Sequence, residues 1–219
     1  ETAEAANSAP PAPPRADPND TRELVAAARA FAEGGCAAAR QELESCAACE
    51  TAEQKPQRDL LLAYCREREA PSEARALYEA IITSYPNTEA AVTAIMRVRQ
   101  IDAAALPPLS DSAGPKPTPR LRPGPAYPTL AESAGIEGKV RLRFDVREDG
   151  GVTNVRVIES TPPLLFDSVA LYAVSSWEYQ PGQAAESQQV TLRFDLTDEE
   201  VAAGKRAAGE PAATGEAVR

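Results

Sequence analysis

The 219-residue chain contains no histidine, one methionine and one tryptophan, and only 5% of it is aromatic. Without imidazole there is no Ser-His-Asp or Cys-His nucleophile pair, no histidine general base near neutrality and no histidine-ligated zinc or haem. Basic residues are also in deficit, 23 against 33 acids, for a net charge of -10. A nucleic acid or an anionic membrane surface needs a clustered basic face, so neither is expected as a partner. No run of apolar residues approaches the length of a membrane span. The chain starts at Glu1 rather than Met, which fits either a mature product whose targeting segment has been removed or an excised piece. Together these absences remove most hydrolase and metalloenzyme readings.

What is abundant is proline, with 20 residues unevenly placed. Residues 1–20 hold Pro10-Pro11-Ala12-Pro13-Pro14 and no hydrophobic period, and read as a disordered lead-in. From Asn19 or Asp20, either of which can cap a helix, the composition turns to Ala, Leu, Glu and Arg as far as Asp102. Helices are expected at 21–33, 35–48, 54–68, 72–84 and 88–101, punctuated by Pro56, Pro71 and Pro86. In the fourth, Ala74, Leu77, Tyr78, Ile81, Ile82 and Tyr85 make one apolar stripe. A shift of 35 residues lays Val25 on Leu60, Ala28 on Ala63, Ala39-Arg40 on Ala74-Arg75 and Leu43-Glu44 on Tyr78-Glu79. That period is close to a tetratricopeptide repeat, although the Trp and Gly signature residues of such repeats are missing. Residues 21–102 therefore read as an all-α domain of two helical hairpins and a closing helix, with a small unrelated bundle as the other possibility.

Prolines return in residues 103–120, a linker that reaches roughly 56 Å if fully extended. Beyond it the hydrophobic period becomes two. Val140, Leu142, Phe144 and Val146 alternate with Arg141, Arg143, Asp145 and Arg147, Glu148-Asp149-Gly150-Gly151 turns the chain, and Val152–Ile158 returns. A helix is expected from Pro163 to Trp177 and a short one at Pro128–Ala134. The last strand, Gln188–Leu196, points Val190, Leu192, Phe194 and Leu196 inward and Thr191, Arg193 and Asp195 outward. The order α-β-β-α-β predicts an α+β domain at 121–197, a three-stranded antiparallel sheet with helices on one face. Residues 198–219 are expected to be a frayed or disordered tail.

All four cysteines fall in the helical region. Facing residues of an antiparallel helical hairpin have nearly constant number sums, which sets Cys36 opposite Cys65, while Cys46 meets no cysteine across the hairpin and pairs locally with Cys49. Two structural disulfides, Cys36–Cys65 and Cys46–Cys49, imply an oxidising compartment. The rivals are a four-cysteine zinc site and a redox Cys-x-x-Cys, but Cys36 and Cys65 sit mid-helix and Cys46-Ala47-Ala48-Cys49 closes a helix rather than opening one.

Dispersed residues of the α+β domain carry a pattern: Pro125-Ala126-Tyr127-Pro128, Gly135-Ile136-Glu137-Gly138-Lys139-Val140, Phe144-Asp145-Val146, Asp149-Gly150, Asn154-Val155, Phe166-Asp167, Ala173-Val174, Trp177, Tyr179 and Pro181-Gly182. In order and spacing this resembles the C-terminal domain of TonB-type energy transducers. Most of these residues also serve as core or turn. The resemblance implies that an outer-membrane TonB-dependent transporter donates its N-terminal segment, the TonB box, to the edge of the last strand. The implied binding residues are Gln188, Gln189, Val190, Thr191, Leu192, Arg193, Phe194, Asp195 and Leu196, with Tyr127 from the segment leading into the sheet. Strand addition needs an unpaired edge and little sequence demand. It implies a periplasmic, non-enzymatic protein without cofactor or metal, a monomer or weak homodimer. Family transducers carry a cytoplasmic stub, one membrane helix meeting a proton-driven motor and a long Pro-rich spacer; here a disulfide-bearing helical domain stands in place of the spacer, and is expected to hold a second periplasmic or inner-membrane protein. The alternatives are an envelope-assembly scaffold that binds through the helical groove, and a thiol oxidoreductase using Cys46 and Cys49.

Overall fold

A computed structural model describes residues 21–104 and 116–208. The expected lead-in 1–20, most of the linker and the end of the tail lie outside the described residues.

The helical region begins with α1 (Arg22–Ser45), which runs through both of the first two expected helices and leaves helical geometry only at Gly35, φ 71° and ψ -157°. Such a backbone is strained for any residue with a Cβ, and glycine adopts it freely. A single 3₁₀ turn (Ala48–Glu50) follows, then α2 (Lys55–Glu69) and α3 (Pro71–Ser84), each with a proline in its first turn, and α4 (Glu89–Ala104). Proline is tolerated there because the first amides of a helix have no intrahelical acceptor. Leu24, Phe31, Leu43, Leu60, Leu61, Tyr64, Tyr78 and Ile81 fill the core, and Ala39, Ala63, Ala74, Ala90 and Ala94 let the helices approach. Phe31 meets Tyr64 edge-on at 5.6 Å, and the buried Tyr78 donates its hydroxyl to Glu67 at 2.7 Å. The bridges are Cys36–Cys65 and Cys46–Cys49, each with its Cα atoms 5.3 Å apart. The region is helical throughout; its likeness to tetratricopeptide repeats rests on the 35-residue spacing alone.

The second half comprises β1 (Pro119–Leu121), α5 (Thr129–Ser133), β2 (Gly138–Val146), β3 (Val152–Thr161), α6 (Asp167–Ser175), β4 (Glu178–Tyr179), β5 (Ala185–Phe194) and α7 (Asp198–Ala207). The main sheet is antiparallel in the order β3-β2-β5. Val140, Leu142, Phe144 and Val146 are buried against α6, Trp177 and Tyr179, and the alternate residues Lys139 and Arg141 face water. Two features differ from the sequence expectation. First, β1 and β4 form a separate two-stranded ladder, so the end of the expected linker is part of the fold. Gly150, at φ 85°, lies so close to Tyr179 of β4 that any Cβ would strike its carbonyl, and this contact pins the β2–β3 turn. Second, the expected tail begins as a helix. Thr197 and Glu200 make a reciprocal capping box, and Gly204 packs backbone to backbone on Gly135 at the end of α5.

The two halves are not independent beads on a linker. Val25 and Ala28 of α1 belong to the core of the sheet, and Leu164, from the loop before α6, is buried in the helical core. Arg29 of α1 donates to the carbonyl of Ala134 at 2.9 Å, and Thr93 of α4 donates to Ser168 of α6 at 3.0 Å. Arg97 of α4 pairs with Glu67 of α2 at 2.5 Å and Asp167 of α6 at 3.3 Å, and lies 5.2 Å from the Tyr64 ring centroid. Burial pushes the Asp167 carboxyl above the usual carboxylate range, against the opposing pull of Ser160 and Arg97.

Two stability measurements check these connections. The Cys36–Cys65 bridge closes a span of 29 residues and the Cys46–Cys49 bridge one of 3. Replacing the first pair by alanine is expected to cost roughly 3–4 kcal/mol in urea unfolding and the second roughly 2 kcal/mol. Arg97→Ala, which strands Glu67 and Asp167 without their cation, is expected to cost about 3 kcal/mol at neutral pH. Because the folded Asp167 pKa is raised, its charged form opposes folding above that pKa, and the opposition fades as pH falls through it. The Arg97→Ala deficit should therefore shrink on acidification, and a deficit independent of pH would exclude Asp167 as its source.

Candidate functional site

β2 is the central strand and spends both edges, one on β3 and one on β5. The outer edge of β3 is flanked by α4: Met96, Arg99 and Gln100 share a hollow of about 210 Å³ with Val152–Arg156, and Arg97 and Ile101 share another with Arg156 and Val157. Among the described residues no strand pairs with the outer edge of β5. A strand in that position presents backbone donors and acceptors to an incoming chain.

The structure divides the ten residues anticipated for this site. Gln189, Thr191 and Arg193 stand exposed on the water face of β5; Val190 and Leu192 are half-buried beneath it, and Phe194 is buried, stacked on Phe166 at 4.4 Å. Asp195 and Leu196 lie past the strand, which ends at Phe194 rather than at Leu196 as expected; the Leu196 amide donates to Glu137 at 2.9 Å and the chain then turns into α7. At the other end β5 starts earlier, at Ala185, and bulges: Phe144 faces Gln188 while Val146 faces Ala185. Ser187 takes φ 55° in the bulge and its amide donates to Asp145 at 2.8 Å, so Ser187 and Gln188 are both buried and the strict alternation is lost there.

Tyr127 does not stand on the edge. Its hydroxyl donates to the Ile136 carbonyl at 2.7 Å, and its ring meets Phe166 and Phe194 edge-on at 5.7 and 5.9 Å. Burial, reinforced by Glu137 and Asp195, pushes the phenol up to about 12. Nearby, Trp177 donates to the Pro123 carbonyl at 3.0 Å while Arg122 covers its ring at 3.9 Å. These contacts hold the segment leading into α5 against the sheet.

Cys46 and Cys49 are bridged and 5% and 0% exposed, so neither sulfur is open to a substrate thiol as a redox dithiol requires. The bridges also engage all four cysteines that a zinc site would need as thiolates.

Residues 123–197 match the family described as Gram-negative bacterial TonB protein C-terminal. This segment is a TonB-type C-terminal domain. Protein TonB of Klebsiella pneumoniae is 33% identical over 99 residues, 45% of this chain and 40% of that protein. Protein TonB of Escherichia coli K12 is 33% identical over 94 residues, 43% of this chain and 38% of that protein. The match thus spans about two fifths of the length of these curated relatives. Among solved structures, the Pseudomonas aeruginosa TonB C-terminal domain is 29% identical, covering 37% of this chain and 87% of that one at a TM-score of 0.35. TonB2 of Vibrio anguillarum is 31% identical, covering 43% and 95%, at a TM-score of 0.32. The TonB-type domain here is thus joined to a helical region that lies outside the family match.

What sequence reasoning missed is the set of residues that join the domain to that region: Arg97, Asp167, Thr93 and Ser168. Their signal is weak, a single charge inside Ile95-Met96-Arg97-Val98. The buried role of the Tyr127 hydroxyl is checked by Tyr127→Phe, which leaves the Ile136 carbonyl without its donor. It should cost about 1 kcal/mol in urea unfolding, while the backbone signals of β5 in an NMR spectrum keep their positions.

Proposed function

We propose that the chain is a periplasmic adaptor of TonB type. Its TonB-type domain takes the extended N-terminal segment of an outer-membrane TonB-dependent transporter as a fourth strand on β5, for energy-coupled uptake. The helical region holds a second envelope protein. The observation that carries this reading is the open outer edge of β5 in a sheet whose opposite edge is flanked by α4. The family match adds the kind of partner. Backbone ladder bonds supply affinity with little demand on sequence, and no catalytic group or cofactor is needed.

Among the described residues no helix is long and apolar enough to cross a membrane, so coupling to a motor calls for an anchor elsewhere or for a partner held by the helical region. A second reading, an envelope scaffold that binds through its helices, is favoured by one feature. Leu77 is 43% exposed beside Leu62, Ala80 and Tyr85 in a shallow hollow between α2 and α3.

Titrating the labelled chain with a peptide from the N-terminus of a TonB-dependent transporter should shift amide signals along Ala185–Phe194 and leave Val152–Thr161 and the α2–α3 hollow unmoved. Absence of shifts on β5 at millimolar peptide would sink strand addition, and shifts confined to α2 and α3 would favour the scaffold.

A further inference from the structure

The water face of the sheet carries an arrangement that backbone pairing does not explain. Lys139 of β2 lies directly opposite Arg193 of β5. Both are exposed, and neither makes an ion pair among the described residues. Like charges at directly opposed sheet positions repel. The remaining groups on this face do not supply the missing anion. Glu159 pairs with Arg141 at 2.8 Å, Asp145 accepts from Asn154 and from the Ser187 amide, and Glu137 is turned onto the Leu196 amide. Asp195 lies beyond the end of β5, two positions from Arg193, where side chains on the same face are about 7 Å apart. Two rows further in on this face, Arg143 faces Arg156 and is followed by Gln189 on β5. The row between them reads Glu159, Arg141, Thr191. Thus the row that ends in Arg193 has two cations, no facing acid and one open side, the outer edge of β5.

Resting on the strand-addition reading, we infer that this edge selects its partner by charge. The segment added to β5 carries an acidic side chain on its water face, opposite Arg193, completing the row Lys139-Arg193-carboxylate. The carboxylate relieves the repulsion between the two cations and is attracted by both, while a lysine in the same place makes a third cation in the row. Of the other exposed side chains of β5, Thr191 and Gln189 are neutral and place no charge demand on the segment, while the acid Glu186 stands beyond the Ser187 bulge at the start of the strand. The recognised chemistry is therefore an extended, β-forming peptide with one carboxylate that fixes its register. The same arginine also discourages pairing with unselected strands, as charged side chains at sheet edges do.

The test uses the full chain and three synthetic peptides of about eight residues, alternating Val and Thr, with Glu, Gln or Lys at one central water-face position. Affinities are read from NMR shifts along β5 at low salt. The Glu peptide should bind about fivefold more tightly than the Lys peptide, with Gln between, the Arg193 side-chain signal should move only with Glu, and 0.5 M salt should compress the difference. Arg193→Thr should abolish the ranking and Arg193→Glu should reverse it. Equal binding of all three peptides along β5 would overturn the charge selection and leave strand addition standing. So would an Arg193→Thr variant that self-associates but keeps the Glu-over-Lys ranking, since Arg193 would then only guard the edge. Failure of every peptide to perturb β5 would overturn strand addition and this inference with it.

Discussion

The joint between the two halves turns on the cation Arg97. Arg97 reaches from α4 to Glu67 on α2 and to Asp167 at the start of α6, with its guanidinium beside the Tyr64 ring. Its side chain is only 14% exposed and that of Asp167 only 3%. Charges removed from water this far are tolerable only when paired and hydrogen-bonded, so the three groups specify one another's positions. The consequence is a fixed seat for the helical region on the TonB-type domain. Around it the exchanged residues Val25, Ala28 and Leu164 exclude water, and the Arg29–Ala134 and Thr93–Ser168 bonds satisfy polar groups that the contact would otherwise strand.

That seat has a directional result. A three-stranded sheet offers two edges, and an edge of unpaired amides and carbonyls is both a binding site and a hazard. α4 stands beside β3 across two hollows, while no strand among the described residues pairs with the outer edge of β5. The bulge at Ser187 and the turn into α7 after Leu196 bound the open stretch at its two ends. Between them lie residues with inward apolar and outward polar side chains, the pattern on which an added strand can lie.

Several parts of this were legible in the residues. The alternation from Val140 to Val146, the Gly150 turn and the stripe in α3 are short-range signals whose period names the element, and the structure places those elements where the periods run. The cysteine pairing followed from helical-hairpin arithmetic because facing positions in antiparallel helices are fixed by the turn between them. Helix α7 carries a local signal at both ends but none along its length. Thr197-Asp198-Glu199-Glu200 is a capping-box start and Lys205-Arg206 a basic end, yet the segment lacks a long apolar stripe because it docks through Gly204 and a few alanines. The two-residue strand β4 and its partner β1 carry no periodic signal at all, since two or three residues cannot show a period.

By itself the sequence determined the longer periodic elements, the disulfide partners and the family of residues 123–197, because each depends on neighbours along the chain or on a fixed spacing of side-chain types. Only the tertiary structure decided that the two halves share their cores, that Tyr127 is an anchor inside the fold, and that α4 comes to stand beside β3. Those outcomes depend on contacts between residues far apart in the chain, such as Arg97 with Asp167, and no periodicity in one segment records which distant segment will supply its partner.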